Sequence, residues 1–156
     1  MKISYPILSI DYGDKHFGLA VSDFKGILAS PLEVISATKN KKKEDIIDKI
    51  LSIAEEYQVK TLLIGMPQQF TKTQAITQKK IGKFVEKIKE RTNLPIILYD
   101  ESFSTLSAQN MLRFSGQSTK SSRKKIDKIA ATVFLQEFLN STKKEQWQKR
   151  EFLLHS

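Results

Sequence analysis

The chain has 156 residues, enough for one domain with a real core, and its 40% hydrophobic and 28% charged fractions are those of a folded protein rather than a disordered one. It contains no cysteine, which excludes disulfides and thiolate metal sites, and no apolar run approaches the ~20 residues of a membrane span. The net charge of +9 and isoelectric point near 9.6 favour polyanions as partners, nucleic acid being the commonest.

The amino-terminal "MKISYPILSIDYG" lacks a signal-peptide layout, because its apolar stretch is short and leads into an acidic turn. The expectation is a cytoplasmic protein with no membrane partner. Residues 5–36 read as three strands, "YPILSIDYG", "HFGLAVSD" and "SPLEVIS". Gly13-Asp14 predicts a two-residue hairpin turn between the first two, and Gly26 a turn between the second and third. Lys39 to Lys43 is a charged loop. From Glu44, the spacing of Ile46, Ile50, Ile53, Ala54 and Tyr57 predicts a helix. "VKTLLIGMP" is a strand ended by Gly65 and Pro67. Ile81, Phe84, Val85 and Ile88 mark a second helix, "PIILYDE" is the next strand, and helices follow near 105–114 and 122–139.

This order predicts an α/β fold with a mixed five-stranded sheet, antiparallel first and parallel later, flanked by helices. One domain is expected over residues 1–140, followed by a basic tail, 141–156, that carries Trp147, Phe152, Leu153 and Leu154.

Three acids stand at element ends. Asp11 closes the first strand, Glu101 follows the last, and Asp127 lies early in the final helix. In open α/β sheets the functional crevice lies beyond the carboxyl ends of the parallel strands, where Asp11 and Glu101 both fall. Asp127, Ala131 and Phe134 are spaced i, i+4 and i+7 and share a helix face, with Ala130 and Ala131 small enough for close approach to the sheet. An inward acid is costly without a positive partner. Three carboxylates without cysteine suit the hard cations Mg²⁺ or Mn²⁺. Each acid also has a plainer reading: Asp11 as a turn former, Glu101 within a helix-cap segment that includes Thr105, and Asp127 as the ion-pair partner of Lys124 or Lys128. His16 and His155 have no partner spacing, and neither GxxxxGK[ST] nor GxGxxG occurs.

Four stretches, "SIDYGDKHFGLAVSD", "LLIGMP", "LYDESFSTLSA" and "KKIDKIAATVFLQEFL", together resemble the YqgF family, also called RuvX, bacterial proteins described as Holliday-junction resolvases and pre-16S rRNA nucleases. The resemblance spans about Ile7 to Leu139. It implies a ribonuclease-H-like fold and Asp11, Glu101 and Asp127 as the catalytic, metal-binding set; Gly13, Gly65 and Thr105 are the expected supporting residues. The chain departs from the family pattern at Asp14, at Ser102 and in the loop over 68–74.

The expected reaction is metal-dependent hydrolysis of phosphodiester bonds, foremost processing of the 5′ end of precursor 16S rRNA, alone or in a ribosomal particle. The alternatives are a resolvase of branched DNA and a non-catalytic RNA-binding factor of ribosome biogenesis. Lys15, Lys120, Arg123, Lys124, Lys125 and Lys128 are the expected nucleic-acid contacts. A monomer or weak homodimer is expected. In the implied fold, Glu101 follows a strand two places from that of Asp11, so the site spans about 10 Å across an intervening strand that ends at Gly65.

Overall fold

The computed structural model of the chain describes residues 2–38, 42–66, 71–100 and 129–142. β1 (Ile7–Asp11), β2 (His16–Ser22) and β3 (Ala29–Ser36) come first, followed by α1 (Lys43–Glu56), β4 (Thr61–Met66), α2 (Lys72–Lys89) and β5 (Ile96–Asp100). A further helix, α3, is described over 129–142. The strands form one sheet in the order β3-β2-β1-β4-β5. β2 pairs antiparallel with β1 and β3, whereas β4 pairs parallel with β1 and β5. The expected mixed sheet is therefore present, with the expected strand between β1 and β5. That strand, β4, ends one residue later than expected, at Met66.

β1 is the central strand and is covered on both faces, which explains its nearly unbroken apolar run. Leu8, Ile10 and, just beyond the strand, Tyr12 join Phe17, Leu19 and Val21 of β2 and Leu62 and Ile64 of β4. α1 and α2 cover that face through Ile46, Ile47, Ile50, Ile53, Ile81, Phe84, Val85 and Ile88. On the opposite face, Ile7, Ala20, Ala29 and Leu63 pack against Ala131, Phe134, Leu135, Phe138 and Leu139 of α3. Each large side chain buried in this way contributes roughly 1.5–3 kcal/mol of transfer free energy.

Local signals account for the helix ends. Glu44 and Asp45 sit in the first turn of α1, where negative charge complements the helix dipole, and the Asp45 carboxylate accepts the Lys42 N–H at 3.1 Å. Tyr57, expected on the buried stripe, instead caps this helix and is 42% exposed, and Gln58 at φ 55° leaves the helical conformation. Thr71 and Gln74 make a reciprocal capping box at the start of α2, each side chain accepting the other's N–H at 3.1 Å. Of the two last expected helices, the one near 105–114 lies outside the described residues, and the other is seen as α3 from 129 on.

The two hairpin links differ from each other. Gly26 takes φ 68° in the β2–β3 turn, as its type allows, and Asp23 Oδ1 accepts the N–H groups of Ile27 at 2.7 Å and Leu28 at 3.3 Å. Between β1 and β2 the expected two-residue turn at Gly13-Asp14 is replaced by the longer link Tyr12–Lys15. The reason is Tyr12: its ring turns into the core, edge-on to Phe17 and Phe84 at 5.1 and 5.2 Å. Gly13 is needed here for space, because a Cβ on it would collide with the His16 carbonyl oxygen. Gly13→Ala is expected to destabilise the fold by about 1–3 kcal/mol, the usual cost of an overpacked site. Urea unfolding would show this as a lower midpoint at unchanged slope.

Candidate active site

Alternation along β1 decides where Asp11 points. Ile7 and Ser9 face α3, so Asp11, the next residue of that parity, lies on the α3 face at the carboxyl end of the central strand. It is half-buried. Directly across the antiparallel ladder stands Gly18. On the other side the register Ile10↔Ile64, taken one step further, puts Gly65 beside Asp11. Gly65 in turn pairs with Tyr99 of β5. The carboxylate thus stands between two residues that have no side chain, in a row that ends about 10 Å away at Tyr99. Gly65 thus stands beside Asp11 on β4, and Gly18 flanks it on β2. Gly18 was not among the expected supporting residues. Its signal lay in "FGLAV", where Gly18 and Ala20 alternate with the large Phe17, Leu19 and Val21.

The α3 face of the sheet is small near this row. Ser9 is fully buried, and its Oγ donates to the Ala131 carbonyl at 2.9 Å, with the Ala20 carbonyl 3.3 Å away. A strand hydroxyl reaches a helix backbone carbonyl only at close approach, which the fully buried Ala130 and Ala131 permit. Five residues on, the Gln136 side chain accepts the Ala29 N–H and donates to the Ile27 carbonyl, both at 2.9 Å. Ala29 pairs with Ser22, whose Oγ accepts the Ile7 N–H at 2.8 Å. Between 131 and 136, α3 therefore runs from the level of Ser9 back toward Ile7, antiparallel to β1.

The loop after Asp11 carries charge of both signs. Asp14 and Lys15 are exposed, and Asp14 pairs with Lys80 of α2 at 3.0 Å. That pair holds the Lys80 ammonium above its usual pKa range, first through the hydrogen bond to Asp14 and then through its charge. The acid that departs from the family pattern is thus matched by a lysine of the neighbouring helix. Asp100 falls on the parity of Ile96, on the face opposite that of Ile97 and Tyr99. His16 Nδ1 lies 3.1 Å from Ser36 Oγ at the sheet edge.

Among the described residues no group of three or more His, Asp or Glu stands together. Glu101 and Asp127, expected to join Asp11, lie outside those residues, as do Thr105, Lys120, Arg123, Lys124, Lys125 and Lys128. No helix among the described residues is long and apolar enough to cross a membrane.

Known proteins share the sequence pattern and the fold of this chain. Residues 5–141 match the family model RuvX, described as a Holliday junction resolvase. A protein of Thermoanaerobacter pseudethanolicus named "Putative pre-16S rRNA nuclease" is 38% identical over 138 residues, 88% of this chain and 97% of its own length. One of the same name from Desulforamulus reducens is 39% identical over 135 residues, 86% of this chain and 96% of its own. Among solved structures, Thermus thermophilus RuvC in complex with a Holliday junction superposes with a TM-score of 0.53 at 14% identity, covering 86% of this chain and 96% of that one. Fowlpox virus resolvase with its junction DNA gives 0.51 at 15% identity, covering 88% and 99%. The fold is thus the ribonuclease-H-like fold of these resolvases.

Tyr99, at the end of the row from Asp11, stacks on Phe134 and meets Phe138 edge-on, both at 5.9 Å, and its hydroxyl lies 3.4 Å from Glu137 Oε2. Burial, and then the Glu137 charge, raise its phenol above the ordinary 10.0. Neutral Tyr99 is the form the fold favours, so this group's contribution is constant below pH 10 and is lost as pH rises from 10 through the folded value. In an absorbance titration of the four tyrosines, one is expected to ionise later than the others. Glu137→Gln is expected to lower that value in part, leaving the part due to burial.

Proposed function

We propose, since the chain belongs to the RuvX family, that it is a metal-dependent nuclease that hydrolyses phosphodiester bonds in nucleic acid, with the precursor of 16S rRNA as its substrate. The observation that carries this reading is Asp11: a carboxylate on the rigid central strand, at its carboxyl end, flanked by Gly18 and Gly65 on the neighbouring strands. The names of the related proteins point to RNA. The family description, which refers to branched DNA, supplies the rival substrate.

Asp11, Glu101 and Asp127 are the proposed catalytic and metal-holding acids. The course of α3 supports the place of Asp127. Four residues of helix before Ala131 span about 6 Å, close to the roughly 6.6 Å of the two strand residues from Ser9 to Asp11. Extension of α3 in the direction it already has would carry Asp127 toward Asp11. For Glu101 the support is parity: it would share the face of Ile97 and Tyr99 if β5 continued one residue.

The donor chemistry fits a hard divalent cation, Mg²⁺ or Mn²⁺, because oxygen ligands alone are offered. Such an ion, when bound, supplies an activated water and stabilises negative charge on the phosphate and the leaving oxygen. The chain's own residues do the rest. Asp11 fixes the site to the sheet, since β1 is hydrogen-bonded on both sides and cannot move independently of its neighbours. Gly18 and Gly65 add no side chain beside that carboxylate. Lys15, exposed in the following loop, is placed to meet a phosphate, and Lys120, Arg123, Lys124, Lys125 and Lys128 are the proposed contacts leading to Asp127.

The test uses precursor 16S rRNA and a four-way DNA junction, each with Mg²⁺ or with EDTA. Wild-type protein is expected to cut the RNA only with the metal, and Asp11→Asn to slow cutting about 10²–10³-fold, the scale of several kcal/mol of transition-state stabilisation. Cutting of the junction alone would assign the site to branched DNA. Metal-independent cutting, or an Asp11→Asn protein as active as the wild type, would refute the proposed site.

A further inference from the structure

α2 is longer than its own packing requires. Its buried residues are Ile81, Phe84, Val85 and Ile88, all in the second half. No residue from Lys72 to Lys80 is buried. Phe84 stacks on Phe17 at 5.4 Å and meets Tyr12 at 5.2 Å, so it sits level with the sheet edge at which Asp11 stands. α2 follows β4 and leads to β5, and therefore begins at that same edge. At ~1.5 Å per residue, Lys72 lies about 18 Å along the helix from Phe84. The first half of α2 therefore projects past the edge at which Asp11 stands, from the opposite face of the sheet.

Two further features agree with that projection. Lys87, one turn beyond Phe84, pairs at 3.2 Å with Glu44 in the first turn of α1, so the start of α1 is level with the last third of α2. Lys80 pairs with Asp14, which ties the projecting half to the loop that follows Asp11.

The charge of this half is one-sided. "KTQAITQKKIGK", Lys72 to Lys83, contains four lysines and no acid. Lys72, Ile76, Lys79 and Lys83 fall at i, i+4, i+7 and i+11, one stripe along the helix, and all four are exposed. Acids return on that line only at Glu86 and Glu90. The first turn of α2 holds no acid, whereas that of α1 holds two. A helix that needs lysine only for solubility gains from a mixture of signs and from acids in its first turn. This half has neither, and in the middle of its lysine stripe stands Ile76, 56% exposed.

We infer that the projecting half of α2 is an arm that binds the sugar-phosphate backbone of the nucleic acid held at Asp11, through Lys72, Lys79 and Lys83, with Ile76 against the ribose between them. The inference deepens the nuclease reading and rests on it for the kind of polyanion. Lys80 is engaged with Asp14 and sets the arm's position rather than adding to its free charge.

The test is equilibrium binding of a fluorescein-labelled precursor 16S rRNA fragment in EDTA, so that no cutting intervenes, over a range of salt concentrations. Lys72→Gln/Lys79→Gln/Lys83→Gln removes three charges and keeps good helix formers. The control, Lys25→Gln/Lys60→Gln/Lys89→Gln, removes three exposed lysines elsewhere and leaves the same net charge. At about 0.7 per phosphate contact, the arm variant is expected to lower the slope of log affinity against log salt by about 2, with about ten-fold or greater loss at low salt. The control is expected to lose much less. Circular dichroism of the arm variant should match the wild type. Equal losses in the two variants would reduce the effect to net charge and overturn the arm. So would an arm variant that binds as the wild type does. Because binding is read without metal, these outcomes are independent of the cleavage result with Asp11→Asn.

Discussion

The close seat of α3 on β1 is the constraint on which the rest of the site depends. Ser9 Oγ reaches a backbone carbonyl of the helix, at Ala131, and it can do so only because the residues between the two backbones are small. A larger side chain at Ser9 or Ala131 would lift the helix from the sheet. The same contact brings the helix axis alongside the strand that carries Asp11 two residues beyond Ser9. An apolar pair at Ser9 and Ala131 would hold the layers together, but it would not specify their distance or register so narrowly.

The two faces of the sheet are built on different plans. The α1 and α2 face is filled with large aliphatic and aromatic side chains. The α3 face carries Ser9, Gly18, Ala20 and Gly65, which on the other face would leave cavities. Small residues thin the layer beside Asp11. Toward Ile7, and against Tyr99 at the far end of the row from Asp11, Phe134, Leu135 and Phe138 restore an ordinary core and supply the apolar burial that holds α3 in place. Tightness near the carboxylate and bulk away from it are the two halves of one arrangement.

Electrostatics add a second layer. Asp14 follows Asp11 by three residues, a position at which an acid would repel a phosphate. Its pairing with Lys80 removes most of that effect and joins the β1–β2 loop to α2. The pair is exposed and adds little to stability, so its consequence is positional. Lys15, beside it in sequence, is left to solvent. Positive charge therefore gathers on the loop and helix around the edge at which Asp11 stands.

Much of this was legible in the sequence. Apolar alternation and turn residues determined the strand and helix positions and the place of Asp11 at a strand end, because these depend on local periodicity, whereas the strand between β1 and β5 was implied by the family resemblance. The acids could be singled out from their positions at element ends, and the family motifs joined them into one expected set. Three things were decided only by tertiary structure. The β1–β2 link lengthened because Tyr12 found a core partner in Phe84, 72 residues later. Gly18 and Gly65 became flanks of one carboxylate only when antiparallel and parallel ladders met on β1. The projection of α2 past the sheet edge depends on where Phe84 anchors it, which helical periodicity cannot reveal. A sequence reports which residues share a face of an element. How far one element extends past another is set by contacts between residues distant along the chain.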